Sequence, residues 1–96
     1  NGKQKYVALK QEDAYMEDRF GRVLKDGFVS MDMAQNILVV RTVSGMAMAV
    51  AAAIDALKFT EVVGCIAGDD TIMIAVRTIE ETRSLMDKLH KLTDKL

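Results

Sequence analysis

The chain has 96 residues, of which 50% are hydrophobic and 28% charged, a length and composition that predict one globular domain with a modest core. Thirteen basic and fourteen acidic residues give a net charge of −1, which excludes a domain that binds nucleic acid by its own positive charge. The single cysteine, Cys65, excludes an internal disulfide and is predicted to be a buried core residue. Neither a bilayer-length apolar run nor an N-terminal signal is found, so we expect a soluble cytoplasmic protein without membrane contact.

The first part of the chain is predicted to be a linker followed by a helix. Residues 1–12 are polar and basic and are interpreted as the remnant of a linker, since the first residue is not Met and an N-terminal part is expected to have been removed. Between Asp13 and Lys25 the apolar residues have the spacing of one helical face, at Met16, Phe20, Val23 and Leu24. Asp13 is expected to cap this helix, and Asp26-Gly27 is expected to end it.

Two strands are predicted next. Residues 28–33 alternate between apolar and polar, which predicts a half-buried strand with Val29, Met31 and Met33 on its inner side. A turn at residues 34–36 leads to residues 37–40, whose apolar and largely β-branched side chains are typical of a central strand.

Ser44 is predicted to cap a helix that extends to about Leu57. Residues 46–54 of this helix carry no polar side chain, and a helix that is apolar on all sides is expected to be buried on all sides. A domain of this size offers it only one sheet face, so the far side is predicted to contact another subunit. The residues assigned to this interface are Met46, Ala49, Val50 and Ala53. The alternative is an alanine-rich helix with an ordinary solvated surface.

The second pair of predicted strands encloses an acidic turn. Apolar residues before and after Gly68-Asp69-Asp70 predict a β-hairpin in which Gly68 relaxes the backbone and two carboxylates lie side by side at the tip. Adjacent like charges raise the cost of ionisation, so a cation that contacts both carboxylates binds more tightly than it binds to one. An arginine or amine ligand fits this description. The alternative, that the aspartates serve only the turn geometry, stays open at this point.

The last predicted element is an amphipathic helix. Thr78-Ile79-Glu80-Glu81 has the pattern of a capping box at its start. One face then carries the apolar residues Leu85, Met86, Leu89, Leu92 and Leu96, which predicts packing against a sheet. His90 lies off this face without a second His or Cys nearby in sequence, so it is predicted to be a surface residue rather than a metal ligand.

The chain contains an internal repeat. Val40-Arg41-Thr42 and Val76-Arg77-Thr78 stand 36 residues apart, each after a predicted hairpin and before a predicted helix. The predicted fold is therefore an α/β (α+β) two-layer sandwich in which two strand-strand-helix units form a four-stranded antiparallel sheet, with an extra N-terminal helix. No nucleophile and base pair, phosphate-binding glycine loop or metal cluster is recognised, so an enzyme is the least favoured class.

The segment Val63–Ile72, together with Thr42-Val43-Ser44-Gly45 at the start of a helix that ends in Asp55-Ala56-Leu57, resembles the C-terminal domain of the bacterial arginine repressor. The resemblance covers roughly residues 23–96. It implies that residues 13–96 form a domain that binds L-arginine as corepressor, without another cofactor, and assembles from trimers into a hexamer with the ligand between two stacked trimers. It also implies that a separate winged-helix domain, absent from this chain, contacts operator DNA.

Position by position, the resemblance assigns Asp69 and Asp70 to the acidic pair that meets the cationic groups of the ligand. It assigns Asp55 to an acidic position on the ligand side of the central helix, and Ala47 to a position where the family has a small residue. Met48 departs from the pattern, because the family usually has a glutamine there whose amide can hydrogen-bond the ligand, whereas a thioether is a weak acceptor.

Two alternatives to this function are considered. One is a small amino-acid-binding regulatory domain of a metabolic enzyme, whose usual strand-helix-strand-strand-helix-strand order differs from the order predicted here. The other is an assembly-only regulator subunit in which Met48 has weakened arginine binding.

Overall fold

The computed structural model describes residues 19–93. Helix α1 includes residues 19–27 and is followed by β1 (Phe28–Ala34), β2 (Ile37–Thr42), α2 (Ala47–Leu57), β3 (Val62–Ala67), β4 (Thr71–Val76) and α3 (Ile79–Thr93). The predictions for residues 1–12, Asp13, Met16 and Leu96 lie outside the described residues. No helix within residues 19–93 combines the length and the apolar character needed to cross a membrane.

The four strands form one antiparallel sheet in the order β1-β2-β4-β3, which confirms the predicted α+β fold of two strand-strand-helix units. β2 and β4 take the centre, and their buried alternate positions are apolar except for Thr42 at the end of β2. Helices α2 and α3 pack on the same face of this central pair. The core comprises Leu24, Phe28, Leu38, Val40, Ala47, Val50, Ala51, Ala53, Ile54, Ile72, Ile74, Val76, Leu85 and Leu89.

The two hairpins are equivalent at an offset of 34 residues. Phe28 pairs with Thr42 as Val62 pairs with Val76, and a bulge follows the first residue of each pair. The offset of 36 residues predicted from the Val-Arg-Thr triplets is therefore wrong. The first triplet lies entirely within β2, whereas the second begins at the last residue of β4 and ends at Thr78, immediately before α3. The triplets are similar in sequence but occupy different places in the two units.

The bulge in β1 changes which side chains face the core. The alternation predicted Val29 on the inner side, but Val29 is 54% exposed. The extra residue of a bulge breaks the alternation, so Phe28 takes the buried position before it. After the bulge, Met31 and Met33 face inward as predicted and pack against the core.

Helix α2 begins at Ala47, and its N-cap residue is Met46 without a side-chain capping bond. The prediction that Ser44 caps this helix is wrong. The Met46 N–H donates to the Val43 carbonyl (3.0 Å), and Gly45 adopts a φ of 79°, in the left-handed region that favours glycine. This tight turn delays the start of the helix beyond Ser44.

Helix α2 is covered on two sides by its own chain. One side packs on the sheet and another packs against α1, where a Cβ on Gly27 would lie 2.6 Å from Val50 Cγ2. The prediction that only the sheet covers α2 is therefore wrong. The exposed strip that remains consists of Met48, Ala49, Ala52 and Asp55.

Helix α3 starts as predicted, because the Glu81 N–H donates to Thr78 Oγ1 (3.0 Å). Leu85 and Leu89 are buried and His90 is exposed, in agreement with the predicted amphipathic face. Two buried threonines on this helix were not predicted. Their hydroxyls are satisfied by carbonyls one turn earlier, with Thr82 Oγ1 donating to Thr78 O (2.8 Å) and Thr93 Oγ1 donating to Leu89 O (2.9 Å).

Candidate ligand-binding site

The acidic pair forms the tip of the β3–β4 hairpin. The Gly68 N–H donates to the Thr71 carbonyl (2.8 Å), which leaves Asp69 and Asp70 as a two-residue tip. Gly68 has no left-handed φ, and the nearest atom to a Cβ placed there would be the Thr71 carbonyl oxygen at 3.7 Å. The turn therefore does not require glycine at position 68, contrary to the prediction.

Two backbone hydrogen bonds hold this tip in place. The Ala47 N–H, at the start of α2, donates to the Asp69 carbonyl (3.1 Å), and the Thr42 N–H, at the end of β2, donates to the Asp70 carbonyl (2.7 Å). The tip is therefore anchored to both a strand and a helix. The N-terminus of a helix carries a partial positive charge, so the position of two carboxylates beside it is favourable.

The two carboxylates have different surroundings. Asp70 Oδ1 accepts a hydrogen bond from Thr71 Oγ1 (2.9 Å), and Asp70 Oδ2 lies 4.0 Å from Arg41 Nη1. No side-chain partner is found for Asp69 within residues 19–93, and its side chain is exposed. One carboxylate of the pair is held by its own chain, and the other is free to meet a ligand.

The first turn of α2 completes this region. Ala47 is fully buried and contributes its backbone N–H, whereas the adjacent Met48 is 72% exposed. The structure thus places Ala47 and the adjacent Met48 beside the tip formed by Asp69 and Asp70, and their role in ligand binding stays a prediction.

Asp55 does not join these residues within one chain. It lies in the last turn of α2, eight residues after Ala47, which corresponds to about 12 Å along the helix axis. There the Cys65 thiol donates to Asp55 Oδ1 (3.6 Å). Burial, the charge of Asp55 and this hydrogen bond raise the pKa of the Cys65 thiol. Cys65 is half-buried rather than buried as predicted, and its contact with Asp55 was not predicted.

Two surface grooves lie elsewhere on the chain. One, of about 370 Å³, lies over β1 and β2 and is lined by Ser30, Met31, Asp32, Met33, Ala34, Val39 and Arg41. The other, of about 190 Å³, lies near the end of α2 and is lined by Ile54, Asp55, Lys58, Phe59, Val62, Val63 and Gly64. Neither of these two grooves includes Asp69 or Asp70, of which the first is exposed and the second is partly exposed. Within residues 19–93 no cluster of three or more His, Cys, Asp or Glu side chains could hold a metal ion.

The predicted interface residues of α2 fall into two groups. Val50 and Ala53 are fully buried in the core of their own chain, so their side chains are not available to another subunit. Met46 is half-buried beside Gly27, and Ala49 is exposed. A surface contact along α2 is therefore open to Ala49 and in part to Met46, together with the exposed Ala52, which was not predicted.

Arg41 and Thr71 were also missed at the sequence level. They are direct cross-strand partners in the β2–β4 register, and Arg41 Nη1 donates to Thr71 Oγ1 (3.3 Å). The sequence signal that could have drawn attention to Arg41 is an arginine in an apolar central strand. The partner of Arg41 could not be predicted, because it depends on the pairing of strands from two different hairpins.

Comparison with known proteins identifies the family. The family model described as "Arginine repressor, C-terminal domain" matches residues 24–91. A curated protein named Arginine repressor from Lachnoclostridium phytofermentans is 64% identical over 92 residues, which cover 96% of this chain and 60% of that protein. The Arginine repressor of Lachnospira eligens is 60% identical over 88 residues (92% and 58%), and that of Alkaliphilus oremlandii is 44% identical over 92 residues (96% and 62%).

The chain spans about 60% of the length of these relatives. Their name is that of a transcriptional regulator, which agrees with the prediction that the chain is not an enzyme and does not favour the regulatory domain of a metabolic enzyme. From the fold, the acidic tip and these matches we conclude that the chain belongs to the arginine repressor family, within its C-terminal domain.

Proposed function

We propose that this chain is the arginine-sensing and oligomerising part of a transcriptional regulator of arginine metabolism, with L-arginine bound at Asp69 and Asp70 between subunits. The observation that carries this proposal is the acidic tip, which two backbone hydrogen bonds hold against β2 and the first residue of α2 while its carboxylates remain accessible. Two accessible carboxylates on a backbone that is held by hydrogen bonds are suited to a cationic ligand.

Both ends of an arginine molecule find complementary groups here. The carboxylates of Asp69 and Asp70 suit its guanidinium or α-ammonium group. The first N–H groups of a helix have no intrahelical partner, and α2 has neither a side-chain cap nor an acidic residue in its first turn. The N–H groups of Met48 and Ala49 are therefore suited to the α-carboxylate of the ligand.

The openness of the tip supports a site that a second subunit completes. A buried ligand needs walls on several sides, and the groups suited to it among residues 19–93 lie in the tip and the first turn of α2. The surface of this chain also exposes several large apolar side chains, among them Val43, Met48, Val63, Ile66 and Met73. Ile66 and Met73 are paired across β3 and β4 on the open face of the sheet, which makes this face suitable for contact with other copies. We propose trimers that stack in pairs, with the ligand between them.

In this proposal the operator is contacted by a part of the regulator outside these 96 residues, and the protein acts in the cytoplasm. The net charge of −1 supports this division, because DNA binding requires neutralisation of several phosphates by basic side chains.

The test is calorimetric titration of the chain with L-arginine and with L-citrulline, combined with sedimentation in the same buffers. L-citrulline has nearly the same shape but carries no charge on its side chain, so it serves as the control. Binding of L-arginine alone, with a shift toward the larger assembly, supports the proposal. Equal heats for the two amino acids, or no binding of either at millimolar concentration, contradict it.

A further inference from the structure

Three polar side chains form a connected group beside the acidic tip. Arg41 Nη1 donates to Thr71 Oγ1 (3.3 Å), and Thr71 Oγ1 donates to Asp70 Oδ1 (2.9 Å). Arg41 and Thr71 face each other across β2 and β4, so the central strand pairing fixes their separation. Thr71 also follows Asp70 directly in the chain, and this places its hydroxyl beside that carboxylate.

The chemistry of the three groups sets the direction of these hydrogen bonds. A guanidinium can only donate and an ionised carboxylate can only accept, whereas a hydroxyl does both. Thr71 is therefore the group that can bridge the other two. The N–H of Arg41 occupies a lone pair of the hydroxyl oxygen, so the hydroxyl hydrogen is directed toward Asp70 Oδ1.

We propose that Thr71 is a positioning residue that, with Arg41, holds the Asp70 carboxylate in one rotamer for ligand binding. This inference rests on the proposed role of the tip as an L-arginine site. A carboxylate offers about four acceptor positions, so the bond from Thr71 leaves several for the ligand. Because a fixed side chain loses less conformational freedom on binding, this arrangement raises affinity without a contact between Thr71 and the ligand.

The test compares Thr71→Val with Thr71→Ser in the 96-residue chain. Valine keeps the β-branched shape of threonine on the strand but lacks the hydroxyl, whereas serine keeps the hydroxyl. We expect Thr71→Val to bind L-arginine up to about tenfold more weakly, because the ligand must then order the Asp70 side chain on binding. Thr71→Ser should retain most of the native affinity, and both variants should keep a thermal midpoint close to native. Native affinity in Thr71→Val, or equal losses in both variants, overturns the proposal.

A second readout separates this inference from the proposed function. In ligand-free crystals, the Asp70 side chain should keep the native rotamer in Thr71→Ser and leave it in Thr71→Val. If the native chain does not bind L-arginine, the proposed function fails, and the rotamer still decides whether Thr71 positions Asp70. An unchanged Asp70 rotamer in Thr71→Val rejects the positioning role whatever the ligand does.

Discussion

The Glu61 carboxylate lies 2.7 Å from Lys88 Nζ, and Ser84 Oγ donates to the same oxygen at 2.9 Å. The side chain of Glu61 is only 7% exposed, whereas that of Lys88 is 47% exposed. Glu61 ends the segment between α2 and β3, and its two partners lie one turn apart on α3. A buried carboxylate therefore ties the C-terminal helix to the segment that leads into β3.

This contact predicts how stability depends on pH. Burial raises the pKa of the Glu61 carboxyl. Hydrogen bonds from Lys88, the backbone and Ser84 lower this pKa by more than burial raises it, so it lies below the ordinary value of 4.5. A lowered pKa in the folded state gives stability that is present above about pH 4.5 and is lost as the pH falls through the folded-state pKa. We expect calorimetry to show a steeper loss of thermal midpoint on acidification in the native chain than in Glu61→Gln.

The comparison of Glu61→Gln with the native chain also predicts a difference in stability at neutral pH. There the variant should be less stable than the native chain, and the two should converge as the pH falls through the folded-state pKa of Glu61 and the native carboxylate becomes protonated. Parallel pH profiles for the two proteins would show that Glu61 does not contribute in this way.

Gly27 gives a second prediction, on packing. A Cβ at this position would lie 2.6 Å from Val50 Cγ2, and Val50 is fully buried and cannot move aside easily. Gly27→Ala should therefore destabilise the fold by about 1–3 kcal/mol, measured by urea unfolding. Gly21→Ala is the matched control on the same helix, because a Cβ there meets no atom within 4 Å. Alanine at position 21 should stabilise the helix by up to about 1 kcal/mol, and a loss of the same size in both variants would contradict the proposed clash.

Much of the fold was predictable because it follows from local patterns. Apolar runs separated by short polar turns located all four strands, and the Thr78 cap located the start of α3. The features that were wrong or missed depend on contacts between distant parts of the chain. The bulge at Val29, the close approach of Gly27 to α2 and the buried position of Glu61 all require the packed structure.

The candidate site was also predictable where it follows from local sequence and not where it depends on distant contacts. The acidic tip follows from its sequence, whereas the backbone contact between Ala47 and Asp69 was not predicted. The separation of Asp55 from the tip was not predictable. Whether positions 55 and 69 are neighbours depends on the direction in which β3 runs beside α2, which requires the folded structure. The contact of Asp70 with Arg41 likewise depends on the pairing of β2 with β4.

The exposed strip of α2 gives a prediction about assembly. Ala49→Glu and Ala52→Glu each place a charge on this strip. Glutamate is a good helix former and both positions are exposed, so neither the helix nor the core should be disturbed. If the strip contacts another subunit, either substitution buries an unpaired carboxylate at the contact and should shift sedimentation toward smaller species. The thermal midpoint measured at low concentration should change little.

Two controls accompany this experiment. Lys91→Glu introduces the same side chain at an exposed position on α3 and should leave the sedimentation pattern unchanged. Ala53→Glu should instead unfold the chain, since Ala53 is buried in its own core. Native assembly in both Ala49→Glu and Ala52→Glu would mean that this strip is an ordinary solvated surface.

The fourth prediction concerns the ligand. Asp69→Asn and Asp70→Asn should each shift the response of assembly to higher L-arginine concentration while preserving the fold, because both residues lie at a surface turn whose backbone hydrogen bonds do not use the carboxylates. Removal of one charge-assisted hydrogen bond costs about 1.5–3 kcal/mol, or roughly ten- to a hundredfold in affinity. Calorimetric titration of the native chain and both variants measures this loss. Unchanged affinity in both asparagine variants would place the ligand elsewhere on the chain.

Met48 offers a gain of function at the same site. Its side chain is 72% exposed in the first turn of α2, so Met48→Gln places an amide beside the tip without altering the core. An amide can donate to and accept from an amino acid, whereas a thioether is only a weak acceptor, so L-arginine should bind about tenfold more tightly. Met48→Leu, which has neither donor nor acceptor, is the control and should stay near the native affinity.

A response to L-arginine in Met48→Gln alone would show that the native site has drifted away from arginine, and that assembly is the role this chain retains. No response in the native chain or in Met48→Gln, by either calorimetry or sedimentation, would reject arginine sensing at this tip.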